Sequence, residues 1–287
     1  MNWSWLQRLL SETPIGLIGL VLLALMIAAA SAASWLRRRW FVGPEGEERD
    51  NSDQEGLVIS AVLALLGLLL GFTFSLAVDR YEFRRGLVLE EANAIGTAYL
   101  RSQLLPEPHR AKMTGLLTEY TANRLRLARL ERGRTAELLA RNDALITELW
   151  TETVAVWPSI RGFDFSSAYV DSMNLVIDLD TSRKAARLAR VPAEVFALLF
   201  VYAVAAAGVL GYVLSSRRVR RSSTALLVLL CLTLLLIVDI DRPVGGGVSE
   251  EQLPMELLQG SLKSWRPEVF GGGAAAEVAA PPAGPAR

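Results

Sequence analysis

The chain has 287 residues, 52% of them hydrophobic, with a mean hydropathy of +0.31. A soluble protein of this size carries about 45–50% apolar residues even with glycine counted. Thirty Lys+Arg balance 30 Asp+Glu, so the formal net charge is +0 and no basic field marks a nucleic-acid binder. One Cys and one His exclude a disulfide framework, a zinc cluster and any site built from several soft ligands. No Ser-His-Asp or Cys-His arrangement and no phosphate-cradling Gly-rich loop is present, so the sequence points to neither an enzyme nor a cofactor.

The apolar residues collect in four charge-poor blocks: Ile15 to Leu36, Gly56 to Val78, Ala193 to Ser215, and Ser222 to Val238. A helix needs about 20 mostly apolar residues to cross the bilayer core. The blocks are continuous rather than alternating, which predicts helices and not barrel strands. Ala30-Ser31-Ala32 is spaced like a cleavage site, but Arg8 and Glu12 precede the block and Arg37-Arg38-Arg39 follow it. An uncleaved span is therefore expected.

Between the second and third blocks, Asp79 to Val191 carries mixed charge with helical periodicity. The second span continues without a breaker towards Leu104, where Pro106 and Pro108 stop it. A helix from Gly56 to Leu104 would be about 70 Å long. Leu116, Leu117, Tyr120, Arg124, Leu127 and Leu130 trace the next helix, ended by Gly133. Leu138, Leu139, Ile146, Leu149, Trp150 and Val154 trace another, stopped at Trp157-Pro158. Val170, Met173, Val176 and Ile177 mark a last one before Pro192.

The expected fold is all-α: a four-span integral membrane protein with a helical-bundle domain inserted between spans two and three. Residues 1–78 hold the first two spans, 79–191 the inserted domain, and 192–240 the last two spans. Residues 241–270 form a Gly-rich turn and a short amphipathic helix, capped by Ser249 with Gln252 and faced by Leu258, Leu262 and Trp265. Residues 271–287, rich in Gly, Ala and Pro, are expected to be disordered.

Several residue groups are candidates for function. Gly67, Gly71 and Ser75 on span two, and Ala203, Ala207, Gly211 and Ser215 on span three, form small-residue faces that suit close helix packing. That packing is either between spans of one chain or between subunits. Leu68, Phe72 and Leu76 recur every four residues, with Ser75 and Asp79 nearby, as an apolar constriction beside a charged mouth would require. Asp79, Arg80, Glu82, Arg84 and Arg85 crowd the end of span two, either anchoring it at the interface or ringing a pore. Glu90, Glu91, Asn93, Thr97 and Arg101 extend a polar stripe that is either a solvated face or a binding groove. Asp239 follows an aliphatic run, so it needs a partner, either Arg242 or an arginine at the end of span two. Asp239 and Asp241 holding a cation through their oxygens is the less favoured reading. His109 is expected in a surface loop, and Cys231 as an inert packing residue.

The strings Leu69-Leu70-Gly71-Phe72-Thr73-Phe74-Ser75, Arg80-Tyr81-Glu82, Arg84-Arg85, Glu91-Ala92-Asn93-Ala94-Ile95-Gly96-Thr97-Ala98-Tyr99-Leu100-Arg101 and Asp239-Ile240-Asp241-Arg242-Pro243 resemble the bestrophin-like family of bacterial membrane proteins. Bestrophins are pentameric ion channels whose second span lines the pore. The resemblance therefore implies a homo-oligomer, a pentamer by analogy, that passes small inorganic ions across the bacterial plasma membrane. It does not imply calcium gating, because no acidic cluster follows span four. The alternative is a non-conducting membrane scaffold that binds a partner through its helical domain. Arginine-rich short loops favour a cytoplasmic location for those loops and an external middle domain, whereas animal bestrophins keep the corresponding domain in the cytoplasm.

Overall fold

The computed structural model describes residues 4–40, 48–129, 135–213, 217–243, 247–248 and 250–265. In chain order the helices are α1 (Ser4–Glu12), α2 (Ile15–Trp40), α3 (Glu48–Ser102), α4 (His109–Arg129), α5 (Thr135–Ile160), α6 (Phe165–Leu188), α7 (Ala193–Val213), α8 (Arg217–Asp241) and α9 (Leu253–Ser264). No strand occurs among the described residues. Four stretches are long and apolar enough to cross a membrane: Ile15–Arg39, Glu55–Ser102, Phe165–Val213 and Ser223–Asp241. Leu130, Gly133, Ser215, Ser249 and the tail from residue 271 lie outside the described residues.

Helix ends follow local chemistry. Pro14 and Pro192 precede α2 and α7 and accept the first turn's N–H groups, Leu17 to Pro14 at 3.0 Å and Val195 to Pro192 at 3.0 Å. Glu194 in the first turn of α7 and Arg37, Arg38 and Arg39 in the last turn of α2 complement the helix dipoles. α3 ends at Ser102, and a hydrogen-bonded turn through Leu105 leads to the prolines.

The chain divides into two compact units, Met1–Arg84 with Ala186–Glu250, and Arg85–Ala185 with Glu251–Arg287. In the first, α2, α7 and α8 pack together with part of α3 around Met26, Leu66, Leu199, Ala203 and Leu234. The amphipathic α1, which periodicity did not anticipate, buries Leu6 and Leu10 in this core and leaves Trp5 and Leu9 exposed. In the second, the rest of α3 joins α4, α5 and most of α6 around Ile95, Met113, Leu117, Leu145 and Met173. α9 docks through Met255, Leu258 and Leu262, and Gly96 lets it approach, with Leu258 Cδ1 3.3 Å from where a Cβ would sit. The Tyr99 hydroxyl donates to the Trp265 carbonyl at 3.0 Å.

Two helical details differ from the sequence reading. α5 runs through Pro158 to Ile160, because a proline in the last turn removes only one hydrogen bond. Its buried face is Asn142, Leu145, Leu149, Glu152, Val156 and Ile160, so the apolar Trp150 and Val154 lie outside. Polar network residues had masked which of its two stripes faces the core.

Candidate functional site

α3 turns 100° per residue, so residues three and four apart share a face. In the first unit its inward face is Leu66, Leu70, Thr73 and Ala77, all buried. The opposite face carries Leu68, Phe72, Ser75, Leu76 and Asp79, all exposed within the chain, with Phe72 at 69% and Leu68 at 54%. Gly67 and Gly71 belong to that outward face, and nothing lies within 4 Å of a Cβ built on either. The other small-residue face behaves differently. Ala207 is fully buried, and a Cβ on Gly211 would fall within 2.6 Å of the Ala30 backbone. Ser34 Oγ meets the Gly211 carbonyl at 2.5 Å, closing α2 on α7.

At the end of this unit, Arg84 leaves the outward set. It is buried, pairs with Glu250 at 3.1 Å and donates to the Ile240 carbonyl at 2.9 Å. Arg80 is half-buried, while Glu82 stays exposed. The oxygens of Asp239 accept the backbone N–H groups of Gly247 and Val248, each at 2.9 Å, where the sequence predicts an arginine partner. A loop of consecutive N–H donors satisfies a carboxylate without a counter-charge. Arg242 instead donates to the Thr13 carbonyl at 2.8 Å. Asp241 accepts Val191 N–H at 2.9 Å, so the two aspartates serve separate backbone sites. Among the described residues no group of three or more His, Cys, Asp or Glu gathers for a metal ion.

In the second unit, Glu90, Asn93, Thr97 and Arg101 line one wall of an open groove of about 430 Å³. Asp171, Leu175 and Leu179 of α6 form the other wall. Arg101 bonds the Ala168 carbonyl across it. Arg85 is an exposed partner of Glu251 at 3.1 Å.

Glu91, one residue from Glu90, is a correction to the predicted stripe: it is 0% exposed and faces the bundle core. Tyr120 Oη donates to it at 2.6 Å, Arg124 Nε approaches at 3.1 Å, and Arg183 completes the set. Asp180 accepts from Arg124 at 3.2 Å, Asn142 at 2.8 Å and Lys184 at 2.6 Å. Burial and the neighbouring Glu91 carboxylate push the Tyr120 phenol well above its usual range, so it remains a donor. Burial opposes the charge on Arg124, yet Glu91 and Asp180 outweigh it and raise its pKa. The available sequence signal was Arg124 itself, a guanidinium on an otherwise apolar helix face.

A smaller buried carboxylate, Glu152, is held by His109 at 2.6 Å and Lys112 at 2.5 Å. Burial works to raise its pKa, and the hydrogen bonds from Lys112 and His109 override that, leaving it below the ordinary carboxylate range. The expected loop histidine is thus the first residue of α4 and a tie to α5.

These features define an all-α, multi-span membrane protein with an outward-facing strip of apolar and small residues on its longest helix. A family model for the bestrophin-like domain matches residues 24–253, and the chain belongs to that family. The fold agrees with crystal structures of single-substitution variants of a bacterial bestrophin homologue from Klebsiella pneumoniae. One superimposes with TM-score 0.59 at 14% identity, covering 88% of this chain and 97% of its own. Another gives TM-score 0.60 at 14% identity with the same coverage. The Klebsiella pneumoniae homologue phased on zinc gives 0.56 at 15% identity, covering 87% of this chain and 96% of its own. No curated protein matches the sequence.

Proposed function

We propose that the protein is a homo-oligomeric ion channel of the bacterial plasma membrane, with copies of α3 around a common axis. The observation that carries this reading is the outward face of α3. A face turned only to lipid favours bulky aliphatic side chains, and small or charged residues there are costly or unused. Here Gly67, Gly71, Ser75 and Asp79 stand among Leu68, Phe72 and Leu76, opposite a buried face. Family membership supports it, and a pentamer follows the bestrophin resemblance. Phe72 and its neighbours then form an apolar constriction that gates by dewetting, and Asp79 with Arg80 charges its mouth.

Purified protein in liposomes should conduct small inorganic ions, and Phe72→Ala should raise flux several-fold by wetting the constriction. Monomeric protein without flux, or flux indifferent to every outward α3 substitution, defeats the channel reading. A non-conducting scaffold would then stand, favoured by the α3–α6 groove lined by Glu90, Asn93, Thr97 and Arg101.

Independently of the channel reading, we place the two short loops in the cytoplasm and the middle domain outside. The support is the arginine content of the short loops, Arg37 to Arg39 and Arg217 to Arg221. Membrane-impermeant thiol reagents on intact cells, with Cys231 replaced by Ser, should label Ser167→Cys and spare Ser216→Cys. The reverse pattern would invert the topology.

A further inference from the structure

Where α2, α7 and α8 meet at one end of the first unit, they leave a pocket of about 350 Å³. Its walls are chemically divided. Ala30, Leu210 and Leu227 give an apolar floor beside the exposed Ile27, while Ser31, Arg38, Ser223 and Thr224 supply hydroxyls and a guanidinium. Trp35 forms part of the rim.

The frame around it is firm. Gly211 lies against the Ala30 backbone, and Arg37 Nη1 donates to the last carbonyls of α7, Tyr212 at 2.9 Å and Val213 at 3.0 Å. Arginines flank this end, with Arg37 to Arg39 closing α2 and Arg217, Arg218, Arg220 and Arg221 opening α8; Arg37 is paired with Glu55 at 3.1 Å, and the α2–α3 connection adds Glu45, Glu47, Glu48, Asp50 and Asp53 in sequence.

We propose that this pocket binds the phosphate-bearing headgroup of an anionic phospholipid, with Arg38 as its charge anchor. A guanidinium with hydroxyls on the same pocket wall matches the oxygens of a phosphodiester. The apolar floor suits the glycerol backbone and the first methylenes, and a tryptophan belongs at headgroup depth. The volume falls at the low end of ligand pockets, about 300–1,000 Å³, which admits a headgroup and not a whole lipid. Basic pockets between membrane helices recognise anionic headgroups by these means.

The test is lipid binding to full-length protein in a neutral detergent, followed by native mass spectrometry and thermal shift. The probes are phosphatidylglycerol, phosphatidylcholine and inorganic phosphate, each alone. Phosphatidylglycerol should bind and stabilise, about tenfold more tightly than phosphatidylcholine, and inorganic phosphate should do neither. Arg38→Gln should weaken phosphatidylglycerol about tenfold. Ser31→Leu, which leaves the charge unchanged and fills the pocket, should weaken it comparably. Arg39→Gln should retain nearly full affinity, because the Arg39 guanidinium stacks over Trp35, 5.2 Å from the ring centroid, and does not line the pocket. Equal binding of the two lipids, or equal losses in Arg38→Gln and Arg39→Gln, would reduce the effect to diffuse surface attraction and overturn the proposal. Stabilisation by inorganic phosphate alone would make this a free-anion site and overturn the lipid assignment. Unchanged elution and melting of the lipid-free variants guards against misfolding.

Discussion

Replacing Glu91 with alanine should destabilise the Arg85–Ala185 unit by about 3–5 kcal/mol, the cost of removing a carboxylate shared by two buried guanidinium groups. Glu91 is reached by both Arg124 and Arg183, and both arginines are buried away from water that would replace it. Asp180 still pairs with Arg124, which moderates the loss there. The Tyr120 hydroxyl loses its 2.6 Å acceptor and keeps only a 3.3 Å approach to Asp180. Glu91→Gln keeps an acceptor for Tyr120 and removes the charge, so it should fall between wild type and alanine. Limited proteolysis of the middle region and thermal unfolding in detergent measure both. A loss under about 1 kcal/mol for Glu91→Ala would show that water or rearrangement compensates the arginines. Glu90→Ala is the matched control, since that carboxylate lines an open groove.

Gly211→Val should separate α2 from α7 and lower the thermal midpoint of the first unit, at a cost of about 1–3 kcal/mol or more. The obstacle is backbone, not a side chain that can rotate away: a built Cβ lies within 2.6 Å of Ala30 atoms. The shift also strains the Ser34 bond to the Gly211 carbonyl and the Arg37 bonds to Tyr212 and Val213. Gly67→Val is the comparison, because a Cβ there meets nothing within the chain. It should leave protomer unfolding nearly unchanged. Equal destabilisation by the two substitutions would mean that the glycines share one packing role.

Hydropathy and periodicity are properties of a chain read in one dimension, and they determined the apolar spans, the absence of strand patterning and the run-on second helix. They also placed Leu258 and Leu262 on the buried side of the last helix. Those features depend on burial averaged over several turns, so a one-residue error in phase hardly moves them. Tertiary structure decided what depends on a single partner. Glu90 and Glu91 are adjacent carboxylates on one helix, and only the positions of Tyr120, Arg124 and Arg183 send one into a groove and the other into the core. Asp239 looked short of a cation, and the turn after α8 brought it backbone N–H donors instead. On α5, the polar Asn142 and Glu152 sit on the buried face and hid its phase from an apolar count. Gly67 and Gly211 both belong to faces with small residues four apart. Yet one meets open space and the other the Ala30 backbone, because spacing states which residues share a face and says nothing about which helix comes to meet it.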